Sequence, residues 1–297
     1  MRLLAFQKNG SQHIGALDGE EVVDLSIVAP EVPGELVNII EGGDACLKQI
    51  AEAVASAGED ARIPLRDIDW LPPTRKAGKI ICLGLNYAAH AAEGGHDRPE
   101  YPSFFMRGNS SLVAHEKPIF RPLASETLDY EAELVAIVGK RAKHVKQDEA
   151  LDYIWGYSVF NEASIREYQR KTAQWTIGKN FDNTGGFGPI VVTADELPPG
   201  AAGLKIESRI GSEILQSANT SDMMWPVAKT IATLSEFTTL EPGDLIAMGT
   251  PPGVGHAKKP PRWLRPGETI EVEIEGIGIC ANPVVAEEDL LELRDAG

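Results

Sequence analysis

The chain of 297 residues is short of positive charge and of long apolar runs. It carries 28 Lys and Arg against 44 Asp and Glu, which gives a formal net charge of −16. A chain this acidic repels phosphate backbones and anionic lipids, so we expect neither nucleic acid nor membranes as partners. No segment approaches the roughly 20 consecutive apolar residues of a membrane span. Residues 1–7 turn polar too early for a secretory signal, and we therefore expect a cytoplasmic protein.

Cysteine and nucleotide-binding glycine motifs are also scarce. The three cysteines, Cys46, Cys82 and Cys280, are odd in number and widely spaced, which argues against a disulfide framework and a CxxC zinc site. Their apolar neighbours predict buried free thiols. The sequence has no G-x-x-x-x-G-K-[ST] loop, no G-x-G-x-x-G helix opening and no G-x-S-x-G elbow. These absences argue against a phosphate cradle and against a serine nucleophile.

The composition divides the chain near residue 75. Residues 1–75 are predicted to form a small α+β domain, with strands in 1–6, 13–17 and 21–25 and a helix over 45–55. A charged, proline-containing segment, 56–76, separates it from residues 76–297. There, short apolar runs alternate with Gly and Pro turns, and the clearest helix spans 226–236. Because strands and helices do not alternate regularly, we expect an α+β fold and no doubly wound sheet or (β/α)₈ barrel.

A pair of acidic residues opens the apolar segment 131–138. Successive side chains of a strand alternate between its two faces, so Glu131 and Glu133 point the same way. Two close, buried carboxylates cannot both stay ionised without compensation. A divalent cation, a basic partner or a raised pKa would each resolve the conflict. The alternative is that this strand end is exposed and the pair is solvated.

A third carboxylate ends the next apolar run. Glu162 follows Asn161 where the segment 156–160 gives way to a charged segment, 164–171, that we predict to be helical. Glu162 is a candidate metal ligand, and the alternative is a carboxylate stabilised by the helix dipole. Three carboxylates without clustered His or Cys form a hard oxygen set. Such a set suits Mg²⁺ or Mn²⁺, allows Ca²⁺ and does not suit zinc.

Two further segments hold groups that can act on a substrate. A spacing of three places His90 and Glu93 on one face of a short helix, where the carboxylate orients the imidazole and raises its basicity. A surface contact between the two is the alternative. Lys179 lies among apolar and aromatic residues and either snorkels to solvent or faces an anionic centre. The glycine-rich segment 249–255 is predicted to be a rigid turn that presents backbone amides and Thr250.

Taken in order, these segments resemble the fumarylacetoacetate hydrolase family over roughly residues 78–285. The resemblance implies a mixed β-roll, barrel-like catalytic domain and a homodimer. It also implies a metal site, a water-activating dyad and an oxyanion or substrate lysine, together with substrate contacts. The residues that carry the resemblance are Gly84 to Tyr87, Asp129 to Leu134, Gly156 to Gln169, Trp175 to Phe181, Gly188-Pro189, Gly243 to Gly255 and Gly276 to Asn282. The implied roles fall on Glu131, Glu133 and Glu162 for the metal, His90 with Glu93 for water, Lys179 for the oxyanion, and Arg166, Gln169 and Thr250 for the substrate.

Two positions depart from the usual pattern of that family. Members commonly carry Asp where this chain has Glu162, and the extra methylene moves the carboxylate by about one bond length against a Mg–O distance of ~2.1 Å. Arg107 stands where many members show Lys followed by Pro. It would still supply a cation near the substrate, with a planar fork suited to a carboxylate.

The resemblance implies chemistry beside a 1,3-dicarbonyl or 2-oxo acid group. We expect a metal-dependent hydrolase that cleaves a C–C bond of an acylpyruvate or β-diketone-type 2-oxo acid, a small-molecule substrate, with water activated by His90 and Glu93. The alternatives are an oxaloacetate-type decarboxylase and an isomerase or hydratase of the same family. A non-catalytic dicarboxylate binder would have no need of the dyad and is disfavoured.

Overall fold

The computed structural model describes residues 1–95 and 97–289. Its strands are β1 (Arg2–Lys8), β2 (Ser11–Asp18), β3 (Glu21–Asp24), β4 (Arg62–Pro64), β5 (Asp69–Leu71), β6 (Ile80–Gly84), β7 (Ser103–Arg107), β8 (Leu112–Val113), β9 (Ile119–Arg121), β10 (Leu128–Asp129), β11 (Ala132–Val138), β12 (Ile154–Glu162), β13 (Ser164–Ile165), β14 (Gly185–Thr193), β15 (Lys205–Ile210), β16 (Glu213–Asn219), β17 (Leu245–Ala247), β18 (Thr269–Ile274) and β19 (Gly278–Ala286). Its α-helices are α1 (Leu25–Val28), α2 (Leu36–Glu41), α3 (Gly43–Ala55), α4 (Ala88–Glu93), α5 (Arg166–Gln169), α6 (Thr176–Lys179) and α7 (Val227–Phe237). Within these described ranges no helix combines the length and apolarity needed to cross a membrane.

Two mixed sheets make up most of the molecule. The larger has the strand order β4-β3-β2-β1-β14-β12-β11-β17-β6-β7, with β5 and β8 paired beside this path. The smaller has the order β16-β15-β18-β19-β9, and it shares a hydrophobic core with β11 and β12. Within the described residues, the large sheet ends in two edges, β4 and β7, and does not close on itself. The α+β class and the family's mixed β-roll are therefore confirmed, without a closed barrel.

The N-terminal strands were predicted correctly. Asn9 and Gly10, with φ of 52° and 77°, form the turn between β1 and β2, and positive φ at both positions is the geometry of a tight hairpin. β1 also pairs with β14 through Arg2↔Val192 and Leu3↔Val191. The large sheet thus continues across residue 75, and the division into two domains there stays a prediction.

The central strands β11 and β12 position the site. All residues of β11 are buried, because its alternate side chains enter two different cores: Leu134 and Ala136 on one face, Val135 and Ile137 on the other. β11 and β12 pair in antiparallel register as far as the start of β11 and the end of β12. There the Glu162 backbone N–H donates to the Glu131 carbonyl at 2.9 Å. The pairing therefore brings the acidic ends of the two strands together.

Among the predicted helices, the two long ones are confirmed and one is wrong. α3 and α7 lie within two residues of their predicted bounds. The charged segment 164–171 is helical only over α5, because Ser164 and Ile165 pair with β10 as a short strand. The three cysteines are free and buried, as predicted.

Candidate active site

Three carboxylates meet where β11 begins and β12 ends. Glu131, Glu133 and Glu162 are buried, and one carboxylate oxygen of each lies within 4.8 Å of the others. Glu131 and Glu133 share a face, as their spacing predicts. Their burial excludes the solvated strand end, and the burial of Glu162 between neighbouring charges excludes a purely helix-start role.

Two cationic side chains compensate Glu131. Lys179 Nζ donates to Glu131 Oε2 and to Glu162 Oε2, both at 2.7 Å. Arg166 pairs with Glu131 and also donates from Nε to Asp129 Oδ2 at 2.8 Å. Burial raises the pKa of Glu131, but Arg166 and Lys179 outweigh burial and hold this pKa well below its usual value. Glu131 is therefore ionised before any metal binds.

Arg107 lies behind Glu162 rather than in the cleft. Its Nη1 donates to Glu162 Oε1 and to the Ala163 carbonyl, both at 3.1 Å. Its Nε donates to Ser111 Oγ at 3.1 Å, and its Nη2 to Thr184 Oγ1 at 2.9 Å. The side chain has no exposed surface. Arg107, expected from the sequence to contact substrate, instead fixes a candidate metal ligand.

Glu133 is the uncompensated carboxylate of the cluster. It accepts a hydrogen bond from the Gly249 N–H at 2.9 Å, and no Lys or Arg of the described chain pairs with it. Burial, followed by the nearby Glu162 and Glu131, raises its pKa well above the usual value. Gly249 has φ of +88°, and a Cβ there would lie 2.7 Å from Asn86 Cβ. Glycine is required for this backbone to approach Glu133.

The cluster fits a hard divalent cation. All its donor atoms are carboxylate oxygens, the ligands that Mg²⁺, Mn²⁺ and Ca²⁺ prefer. Glu133 has no cationic partner among the described residues, so a bound cation would stabilise its ionised form. Lys179 donates to one oxygen of Glu131 and one of Glu162, so a bound ion has to share these two carboxylates with it.

His90 and Glu93 form the predicted pair on α4. His90 Nδ1 lies 2.8 Å from Glu93 Oε1, and Glu93 Oε2 accepts the Gly253 N–H at 2.9 Å. His90 is 7% exposed whereas Glu93 lies at the surface, so the imidazole is enclosed and its carboxylate partner faces outward. The carboxylate holds the imidazole at Nδ1, and Nε2 has no hydrogen-bond partner among residues 1–95 and 97–289.

A cleft of about 290 Å³ opens over the carboxylates. Its wall is shaped by a close contact between Gly84 and Trp175, where a Cβ on Gly84 would lie 2.2 Å from the indole ring. Thr250 Oγ1, also in the wall, accepts a hydrogen bond from Gln216 Nε2 at 2.8 Å. Of the residues predicted from the sequence, the cleft is lined by His90, Glu131, Glu133, Glu162, Arg166, Gln169, Lys179 and Thr250, whereas Arg107 and Glu93 stand behind it.

Two functional candidates, His256 and Asp129, were not predicted from the sequence. His256 lines the cleft, and its Nδ1 lies 3.3 Å from Asp129 Oδ2. Asp129 is fully buried and accepts the backbone N–H groups of Gly255 at 2.7 Å and His256 at 3.0 Å. Burial raises the pKa of Asp129, but Arg166 and His256 outweigh burial and lower it overall. In the sequence, this site is indicated by the histidine that directly follows Gly255 in the glycine-rich turn.

Comparison with known proteins identifies the family and the fold. The family described as fumarylacetoacetate (FAA) hydrolase C-terminal matches residues 79–285, a range that contains every candidate site residue. The chain belongs to the fumarylacetoacetate hydrolase family.

Relatives of this fumarylacetoacetate hydrolase family chain are named as enzymes. The mitochondrial oxaloacetate tautomerase Fahd2a of Rattus norvegicus is 37% identical over 290 residues, which cover 96% of this chain and 92% of that protein. The structure of fumarylacetoacetate hydrolase from Exiguobacterium antarcticum has a TM-score of 0.83 and 33% identity, with 97% of this chain and 100% of that chain covered. The maleylpyruvate hydrolase of Sphingobium sp. SYK-6, in complex with manganese(II) and pyruvate, has a TM-score of 0.81 and 27% identity, with 96% and 99% covered.

Proposed function

We propose that this protein is a divalent-metal-dependent tautomerase of an oxaloacetate-type 2-oxo dicarboxylic acid. The observation that carries the proposal is the buried cluster of Glu131, Glu133 and Glu162 in a cleft that also receives a histidine–carboxylate pair. The name of the Rattus norvegicus relative, an oxaloacetate tautomerase, supports this choice of reaction. A cleft of about 290 Å³ lies at the small end of ligand sites and suits a four-carbon acid.

The three glutamates would hold Mg²⁺ or Mn²⁺. The ion supplies electrostatic stabilisation of negative charge on the substrate's 2-oxo oxygen. Lys179, which lies beside two of the three ligands, adds positive charge at the same place. Arg107 acts by holding Glu162, so its role is to position a ligand.

His90 would move the proton at the substrate's 2-oxygen. Its Nδ1 is engaged by Glu93, so Nε2 takes the hydroxyl proton of the enol and returns it in the reverse direction. Arg166, Gln169 and Thr250 line the remaining wall and would orient the substrate's carboxylates.

Hydrolysis of a C–C bond is the second candidate, because the same pair can activate water. A neighbour in fold, at 27% identity, is named maleylpyruvate hydrolase, which supports this possibility. Hydrolysis needs an attacking water and an acyl group beyond C3, whereas tautomerisation needs neither. The two candidates therefore differ in products and share the metal site.

The deciding experiment supplies oxaloacetate and an acylpyruvate to the Mn²⁺-loaded protein. Enol and keto oxaloacetate are followed by ultraviolet absorbance, and pyruvate, CO₂ and the carboxylic acid product by NMR. We expect fast keto–enol interconversion, abolished by EDTA and lowered about 10²–10⁴-fold in kcat by His90→Ala. Release of CO₂ as the main result would identify a decarboxylase, and acylpyruvate cleavage without oxaloacetate tautomerisation would identify a hydrolase.

A further inference from the structure

A second histidine–carboxylate pair faces the cleft, on the loop after β17. The side chain of His256 is 12% exposed and lines the cleft, while Asp129 behind it is fully buried. Asp129 Oδ2 lies 3.3 Å from His256 Nδ1 and also accepts the His256 backbone N–H at 3.0 Å. The residue is thus held at both its main chain and its ring by one carboxylate.

The turn 253–256 joins this pair to the first one. Glu93, the partner of His90, accepts the Gly253 N–H at 2.9 Å. Asp129, the partner of His256, accepts the Gly255 N–H at 2.7 Å. A Cβ on Gly255 would lie 1.9 Å from the Arg262 carbonyl oxygen, so the turn is tightly packed. The two imidazoles are therefore held by carboxylates that anchor the same short stretch of backbone.

The hydrogen bonding of Asp129 determines which nitrogen of His256 is available. Both oxygens of Asp129 accept hydrogen bonds, from Arg166 Nε and from the backbone N–H groups of Tyr130, Gly255 and His256, so this carboxylate acts as an acceptor toward the His256 ring. The proton between the two groups therefore sits on His256 Nδ1. The other ring nitrogen, Nε2, has no partner among residues 1–95 and 97–289 and is free for a substrate.

We propose that His256 is a catalytic residue that transfers the proton at C3 of the bound 2-oxo acid, with Asp129 as its positioning residue. The inference rests on the proposed function in one respect, namely that the substrate is a 2-oxo acid with an enolisable C3. It assigns a chemical step to a residue that the reaction described above leaves unused.

The two histidines together balance the tautomerisation. In the enol-to-keto direction His90 Nε2 takes the hydroxyl proton, and the O–H electron pair becomes the C2=O π bond. The C2=C3 π pair forms a bond to the proton on Nε2 of His256, which enters this direction as an imidazolium paired with Asp129 and leaves it as the neutral ring with its proton on Nδ1. One proton leaves the substrate and one enters, so no oxidant and no water is consumed. Exchange with solvent resets both rings.

Pyruvate is the probe that tests His256, since it shares C1, C2 and C3 with both candidate substrates. The Mn²⁺-loaded protein is incubated with pyruvate in D₂O, and loss of the methyl proton signal is followed by NMR. His256→Asn retains a donor to Asp129 but lacks Nε2. We expect it to slow exchange about 10²–10⁴-fold with Mn²⁺ affinity unchanged within about twofold. His256→Ala should also lose exchange, and imidazole added to the solution should restore it.

The matched control is His144→Asn, which changes an exposed histidine whose φ of 55° suits asparagine. Its exchange rate should equal that of the wild type. Three results would overturn the inference. The His256 variants could exchange pyruvate at the wild-type rate, or the wild type could fail to exchange it. The variants could also lose exchange together with Mn²⁺ affinity, without rescue by imidazole.

Failure of the proposed function would look different. A protein that exchanges pyruvate through His256 but does not accelerate oxaloacetate tautomerisation contradicts the tautomerase. It leaves the His256 assignment standing, because C–C cleavage of an acylpyruvate also ends with protonation of C3.

Discussion

Arg107 and Glu162 form a buried pair in which a fixed guanidinium holds a candidate metal ligand. Nη1 of Arg107 lies 3.1 Å from Glu162 Oε1, and the other donors of the fork bind Ser111, Thr184 and the Ala163 carbonyl. The carboxylate is therefore oriented before an ion arrives. A lysine has three rotatable donors and no fixed fork, so it cannot reproduce these contacts.

We predict that Arg107→Lys lowers the stability of the metal-free protein by about 2–4 kcal/mol and weakens Mn²⁺ binding, because it breaks a buried, hydrogen-bonded ion pair. Urea denaturation and calorimetry measure the two effects. Arg141→Lys is the control, because Arg141 pairs with Glu241 at an exposed site and should tolerate the change. Equal stability of the two variants would show that Arg107 does not hold the site.

Glu162→Asp tests the length of the same ligand. The shorter side chain withdraws the carboxylate by one methylene, while Arg107 stays held by Ser111 and Thr184. We expect the ratio of Mg²⁺ to Mn²⁺ affinity to rise, since Mg²⁺ demands near-ideal octahedral geometry at about 2.0–2.1 Å and gains most when crowding is relieved. Competition calorimetry gives the ratio. If it stays at the wild-type value, the backbone absorbs the extra methylene of Glu162.

Replacing Glu131 or Glu133 by glutamine should change the stability of the metal-free protein by different amounts. Glu131 pairs with Lys179 and Arg166, whereas Glu133 has a raised pKa and no cationic partner in the described chain. In EDTA, Glu131→Gln should cost about 3–5 kcal/mol and Glu133→Gln little or nothing. Both should weaken Mn²⁺ binding. Thermal unfolding with and without Mn²⁺ measures this, and equal losses in EDTA would contradict the charge assignment.

The acid stability of the N-terminal strands should depend on Asp24. Its Oδ2 accepts from Lys8 Nζ at 2.7 Å, and its Oδ1 accepts the backbone N–H of Ser26 at 3.1 Å as the N-cap of α1. Burial raises the pKa of Asp24, but Lys8, Ser26 and His13 outweigh burial and lower it overall.

A lowered pKa in the folded state adds stability above the pKa of the unfolded chain, and this stability is lost as the pH falls through the folded value. Asp24→Asn should therefore cost about 1–2 kcal/mol at pH 7 and progressively less below about pH 4. Urea denaturation at several pH values checks this. The exposed Asp148→Asn serves as control. A deficit that does not change with pH would point to the lost N-cap geometry alone.

Local periodicity was enough to predict part of the site. The two-residue period of β11 gave the shared face of Glu131 and Glu133, and the helical spacing of three gave the contact between His90 and Glu93. The contacts of Arg107 and His256 depend on how distant strands meet. Arg107 is 55 residues from Glu162, and His256 is 127 residues from Asp129. No local pattern encodes such pairs, so their roles emerged only from the folded chain.

The continuity of the large sheet links the N-terminal hairpin to the carboxylates. One strand, β14, pairs with β1 at Val191 and Val192 and with Glu162 at Gly185. Amide groups in β1 should therefore exchange with solvent as part of the same cooperative unfolding unit that contains Glu162. An ion that binds only the folded state stabilises that entire unit. Mn²⁺ should therefore slow deuterium uptake in β1, which pairs with the end of β14 that lies farthest from the metal site.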